Sequence, residues 1–233
     1  MRRSGQAQVG FLAAGLAVLV ASVVPPFDAV ADRRLTVHMV QHLLIVVVAA
    51  PLIVAGAPVR LALRTLPRDG RDALVRLLHS RFARTLGHPV VAWSIFAVVL
   101  LGTHVPSFYD LALRHSAVHA GEHALYLWAA LVFWAPLIGA DPVPHRLSSI
   151  GAVLYMLTAM VPMTVVGVWL LTAERVVYPH YAAYANALAD QHSGGVVMWL
   201  AGSVLMIAAT LICVWAAMLR EERHARAREA YQR

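Results

Sequence analysis

Apolar residues gather into six runs: Val9–Val24, Leu35–Gly56, Pro89–Val105, Ala117–Ile138, Leu147–Thr172 and Val196–Leu219. A spanning helix needs about 20 apolar residues at about 1.5 Å rise each. Each run therefore predicts a transmembrane helix, the first and third being short. Polar and proline punctuation separates them at Pro25-Pro26, Pro58, Pro67 to Gly70, Pro106, Asp141 to Pro144, and Pro179. No internal repeat or low-complexity tract interrupts the pattern. It predicts an all-α, polytopic membrane helix bundle of about six transmembrane helices, forming a single integral membrane domain over 1–233 with a basic tail at 220–233.

Composition agrees. The chain is 60% hydrophobic and 13% charged, with a mean hydropathy of +0.68. Soluble domains carry about 25% charged residues. A net charge of +7 suggests nucleic acid in a soluble chain, but all 19 basic residues here are Arg and most fall between the apolar runs. That placement is a topology signal, and no nucleic-acid partner is expected. With six spans, both termini share a side with the second and fourth loops. That side collects Arg2, Arg3, the seven arginines from Arg60 to Arg84, Arg146, and the five from Arg220 to Arg233. Only Arg33, Arg34, Arg114 and Arg175 fall opposite. By the positive-inside rule both termini are cytoplasmic. The stretch from Arg71 to Arg84 reads as a short amphipathic helix on anionic lipid, with Leu74, Leu77 and Leu78 facing inward. Arg2-Arg3, the first apolar run and Ala29-Val30-Ala31 also match a secretory leader. The length of the run and Pro25-Pro26 favour a retained helix.

The chemistry lies in the histidines. Eight of the twelve fall on the outer side: His38, His42, His104, His115, His119, His123, His180 and His192. Ionisable side chains within spans are costly and mark function. The i, i+4 spacing places His38 with His42, and His119 with His123, on single helical faces. By rise alone His42 and His123 lie roughly 10 Å below their helix starts, at matching depth. Two such faces at one level suit a metal held between helices. His104, beside Pro106, is a further candidate, whereas His115 and His180 are expected to sit at the interface. His79, His88, His145 and His224 lack convergent partners and are expected at the surface. Glu122 is an intramembrane carboxylate placed to orient an imidazole, to bind metal or to shuttle protons. Asp190-Gln191-His192 and Gly194-Gly195 precede the last span, so Asp190 either closes the site from above or caps a helix.

Imidazole suits copper, zinc and iron, and thioether selects Cu(I). Met198 opens the sixth span on the outer side and is a possible extra ligand. Met156, Met160 and Met163 read as a packing stripe. The lone Cys213 lies toward the inner side and excludes any CxxC motif. His119-Ala120-Gly121-Glu122-His123 matches H-x-x-E-H, a zinc-peptidase pattern that requires a further acidic ligand. Glu174 and Asp190 are the obvious acidic residues for it on that side. A zinc peptidase leaves the His38/His42 pair unexplained.

The ordered motifs resemble the bacterial CtaG-type cytochrome c oxidase assembly factors. The resemblance is carried by Phe27-Asp28, His38-Met39-Val40-Gln41-His42, Ala50-Pro51-Leu52, Gly56-Ala57-Pro58, His104-Val105-Pro106, Phe108-Tyr109-Asp110, Glu122-His123, Phe133-Trp134-Ala135-Pro136, Tyr178-Pro179, Asp190-Gln191, Gly194-Gly195 and Met198-Trp199, over about residues 27–200. It departs at His192, where Gln is expected. The resemblance implies a multi-pass protein of the bacterial inner membrane that matures a haem–copper oxidase by handling copper, with oxidase subunits and other copper chaperones as partners and no enzymatic activity. Joined to the histidine geometry, it gives His38, His42, His119 and His123 as the expected copper ligands, with His104, Glu122, Asp190 and Met198 as possible additions. A b-type haem protein with two axial histidines, a copper transporter and an intramembrane zinc metalloprotease are the competing readings.

Overall fold

In the computed structural model, which describes residues 2–142 and 145–232, every regular element is helical. The expected inner placement of Arg233 lies outside the described residues, as do the side chains of Arg2, Arg3, Arg220, Arg223 and His224. Helix α1 (Arg2–Val23) is followed by the short α2 (Phe27–Ala31) and by α3 (Leu35–Leu43). A wide π-helical turn over Leu44–Ala49 joins α3 to α4 (Ala50–Ala55) without ending the span. Pro51 gives the reason. Its ring lacks an N–H and crowds the carbonyl four residues back, and an extra residue in the turn relieves both. The indole N–H of Trp134 donates to the Val46 carbonyl at 2.8 Å within this turn.

Three short helices follow, α5 (Pro58–Thr65), α6 (Arg68–Leu78) and α7 (Arg81–Leu86). The expected single amphipathic helix is thus two, broken at His79-Ser80, where the Ser80 hydroxyl accepts from the Ala83 N–H and caps α7. Leu74 and Leu78 are half-buried, but Leu77 is exposed, against expectation. Helix α8 (Pro89–Thr103) and α9 (Pro106–Arg114) meet at a 73° bend, because Pro106 cannot continue the ladder of α8. The third span therefore stops short of Val105. Helices α10 (Ser116–Ile138) and α11 (Ser149–Thr172) are long and continuous. A short 3₁₀ turn over Pro179–Ala183 leads to α12 (Ala187–Val196), which passes through a second π turn (Val197–Ala201) into α13 (Gly202–Gln232). The last span therefore begins at Ala187, well before the expected Val196. Asp190, Gln191 and His192 lie within it, and the expected outer loop at that point is helix.

Five helices are long and apolar enough to cross a membrane, and there are six if the bent α8–α9 pair is one broken span. Helix α10 packs on α4 and α8, α11 on α12 and α13, and α1 along α4 and the first π turn. Small residues set the approach distances. A Cβ on Gly15 would lie 2.8 Å from Ile53, and one on Gly167 2.7 Å from Trp199, so neither crossing tolerates a side chain. Large apolar residues such as Leu154, Val161, Leu211 and Ile212 point outward, as they do on helices solvated by lipid. The expected methionine stripe is core: Met156 and Met163 are buried in the same apolar cluster as Met198 and Leu43.

Candidate metal site

At the end of the bundle where α3 and α10 begin, the polar residues turn inward. His38, Gln41, His42, His104, Glu122 and His123 are all buried among hydrophobic neighbours. The i, i+4 pairs face each other as the spacing predicts. The ring centroids of His38 and His42 are 4.4 Å apart and those of His119 and His123 are 4.3 Å apart. Across the two helices, His38 lies 5.2 Å from His119, and His42 lies 5.7 Å from His123. Three sets of ligand atoms fall within 4.8 Å of one another: His38/His42/His123, Asp28/His119/His123 and His38/His119/Glu122. All four expected ligands belong to at least one set.

Hydrogen bonding fixes the tautomers of two rings. Burial pushes the Tyr181 phenol up, so it keeps its proton. Its O–H donates to the Ala31 carbonyl at 3.0 Å and also sits 3.1 Å from Nδ1 of His38. With its own hydrogen committed, Tyr181 accepts from His38, which places the His38 proton on Nδ1 and leaves Nε2 free to coordinate. That Nε2 is 3.0 Å from Nε2 of His42, about the separation of two nitrogens sharing one metal at about 2.0 Å each. In His104, Nδ1 donates to the Leu100 carbonyl at 2.7 Å. The Thr103 hydroxyl donates to the Val99 carbonyl at 2.9 Å, and the Tyr126 hydroxyl is a close hydrogen-bond partner of Thr103. The Tyr126 oxygen, 3.1 Å away, therefore accepts from the same His104 N–H. The coordinating nitrogen of His104 is again Nε2.

Several of these atoms have no partner. Nδ1 of His42, Nε2 of His104, His119 and His123, and both oxygens of Glu122 are shut off from solvent and hydrogen-bonded to nothing. Leaving one such group unsatisfied costs about 1–3 kcal/mol, and an ionised carboxylate is tolerable there only beside a cation. So many orphans converging at one place are the signature of a group that binds there. The donor set of imidazoles and carboxylates fits a transition-metal ion.

Of the possible additions, Glu122 belongs to one set, and the others fall outside all three. His104 is one step away, its ring 6.0 Å from His42. Asp190 ties α12 to α3, its carboxylate facing the Thr36 N–H at 3.4 Å and its carbonyl accepting from the Thr36 hydroxyl at 2.8 Å. Met198 packs in the apolar core. Nε2 of His192 bonds the Ala173 carbonyl at 2.9 Å, and that of His180 bonds the Asp32 carbonyl at 2.8 Å. His115 is exposed. At the opposite end, His88 and His145 stack edge to face with centroids 5.2 Å apart, so these two are paired, contrary to expectation.

Sequence reasoning missed Asp28. It lies on α2, which folds over the start of α3, and Nε2 of Gln41 donates to its Oδ1 at 2.9 Å and to the Ser22 carbonyl at 2.7 Å. An acidic residue just past a proline break, opposite a Gln one position before His42, was the available signal. A cavity of about 360 Å³ opens between α1, α2 and α10, lined by Asp28, Ser116, His119 and His123.

Fold and site together define a polytopic membrane protein with a buried, histidine-rich, metal-competent centre. The chain belongs to the cytochrome c oxidase caa3 assembly factor family (Caa3_CtaG), whose pattern matches residues 1–220. It is similar to uncharacterised proteins of Mycobacterium bovis and Mycobacterium tuberculosis, each 30% identical over 247 residues, covering 96% of this chain and 37% of theirs. A Mycobacterium leprae protein is 28% identical over 249 residues, covering 97% of this chain and 38% of its own. The chain thus spans well under half the length of these curated relatives. No solved structure matches it.

Proposed function

We propose that this protein binds copper through His38, His42, His119 and His123 and supplies it to a haem–copper oxidase during assembly at the bacterial inner membrane. Family membership supports the assembly role. The observation that carries the metal role is the group of buried, unpartnered imidazole nitrogens around Glu122. The site lies on the periplasmic side and both termini are cytoplasmic, a reading supported by the arginine distribution. Oxidase subunits and copper donors are the partners. The protein acts by ligand exchange and not as an enzyme.

Neighbouring rings spaced at 4.3–6.2 Å favour one small ion over a haem, which needs a macrocycle's width between its axial ligands. A zinc peptidase stays the second reading for one specific reason: Asp28 supplies the acidic third ligand that the His119/His123 motif lacked in sequence.

Metal analysis of detergent-purified protein reconstituted with copper tests the proposal. Wild type is expected to retain copper, and the variant with His38, His42, His119 and His123 all replaced by Ala to retain none. Copper near zero in both would sink it, and a Soret band after haem-replete expression would transfer the site to haem.

A further inference from the structure

The three candidate ligand sets overlap in a way that a single static site does not need. Asp28/His119/His123 shares His119 with His38/His119/Glu122, which shares His38 with His38/His42/His123, and His123 belongs to both end sets. The sets also differ in access. Asp28, His119 and His123 line the open cavity between α1, α2 and α10. His38 and His42 are buried more deeply, at 0% and 2% exposure.

Resting on the copper reading above, we propose that Asp28, His119 and His123 form a loading position, from which the ion steps inward to His38, His42 and His123. Each step keeps at least one ligand bound, so the ion never travels bare through an apolar interior, where an isolated charge is costly. The move releases Asp28 and His119 and takes up His38 and His42, a net exchange of one carboxylate oxygen for one imidazole nitrogen. No electron is transferred, and the copper keeps its oxidation state. His38 already carries its proton on Nδ1, so its Nε2 accepts the ion without releasing one. Glu122, with both oxygens unpartnered, lies along the route and offsets the charge of the ion as it leaves Asp28. Gln41 holds Oδ1 of Asp28 at 2.9 Å and so orients the carboxylate toward the cavity side of α10.

The two positions differ in a countable property. The loading set offers two nitrogens and an oxygen, whereas the inner set offers three nitrogens. Tetragonal sites of nitrogen and oxygen donors suit Cu(II), so the probe is Cu(II) supplied as its glycine complex to the purified, metal-free full chain. Rapid-freeze electron paramagnetic resonance is expected to show an early signal with two coupled nitrogens that converts to one with three. Asp28→Asn, which retains the Gln41 contact, should slow uptake by about tenfold or more, because it removes the charge that draws the cation in, while final occupancy stays at the wild-type level. Ser116→Trp fills the cavity without replacing a ligand and should slow uptake likewise. His42→Ala should load quickly, stop at the two-nitrogen signal and give its copper up to a chelator. Wild-type uptake rates in both Asp28→Asn and Ser116→Trp, with copper still retained, would overturn the loading position and leave the copper reading intact. No copper in the wild type would overturn both.

Discussion

The two ends of this bundle use the same residue types to opposite effect. At the arginine-rich end, the Asp141 carboxylate accepts from the backbone N–H groups of Arg60 and Val59 at 2.8 and 3.3 Å and so fastens α5. Burial raises its carboxyl above the usual range, and those N–H bonds pull it back. At the other end Glu122 accepts nothing, although it is more deeply buried. The histidines divide in the same way. His180 and His192 each bond a backbone carbonyl through Nε2, whereas His42, His104, His119 and His123 each keep one nitrogen both buried and unpartnered. Burial alone does not mark out the candidate metal site here. The gathering of buried, unpartnered nitrogens does.

That contrast can be broken most directly at the ligands. His42→Ala or His123→Ala should abolish copper retention and remove most oxidase activity in cells, with little recovery across a copper series. Either variant retaining wild-type copper would dissolve the distinction. Glu122→Gln should be graded, lowering copper affinity by about 10–100-fold, and extra copper should partly restore oxidase assembly. A dead Glu122→Gln with full metal content and no rescue would point instead to a peptidase, in which Glu activates water. The histidine tied to a backbone carbonyl gives the smaller effect. His192→Ala removes one hydrogen bond and should cost about 1 kcal/mol in stability, read as a lowered melting temperature at unchanged copper content. Asp141→Asn can keep the 2.8 Å bond from Arg60 but loses the longer 3.3 Å bond from Val59, so its cost should be similar, and it should leave metal binding untouched. A copper loss in either of these last two variants would mean that the two ends are not independent.

Much of this was legible in the residues themselves. Hydropathy located every span, because lipid-facing and core-facing positions are both apolar and the signal is strong. Helical periodicity brought His38 to His42, and His119 to His123, and equal depth brought the two pairs together. What escaped depended on contacts between segments far apart in sequence. Asp28 reaches the site only because α2 folds over α3, a matter of loop geometry that periodicity does not encode. Asp190 and His192 were misplaced because the last apolar run begins only at Val196, and the polar residues before it gave no hydropathy signal. In the folded chain the helix runs through them, and Gly195 lets α12 approach α11 closely at Leu171. Free and occupied nitrogens were likewise invisible, because the carbonyls that occupy His180 and His192 come from other elements.

The wide turn at Leu44–Ala49 bears on all of this from a distance. One surplus residue in a helix rotates everything beyond it by roughly 100° about the axis. Helix α4 takes its orientation from α1, which it grips through Gly15 and Gly56. The azimuth of α3, and hence the direction in which His38 and His42 project, is measured from that grip through the bulge. Excision of Val48 would remove the surplus residue and, with α4 held on α1, swing both imidazoles away from His123, so the phase of the candidate ligands is written in a segment that carries none of them.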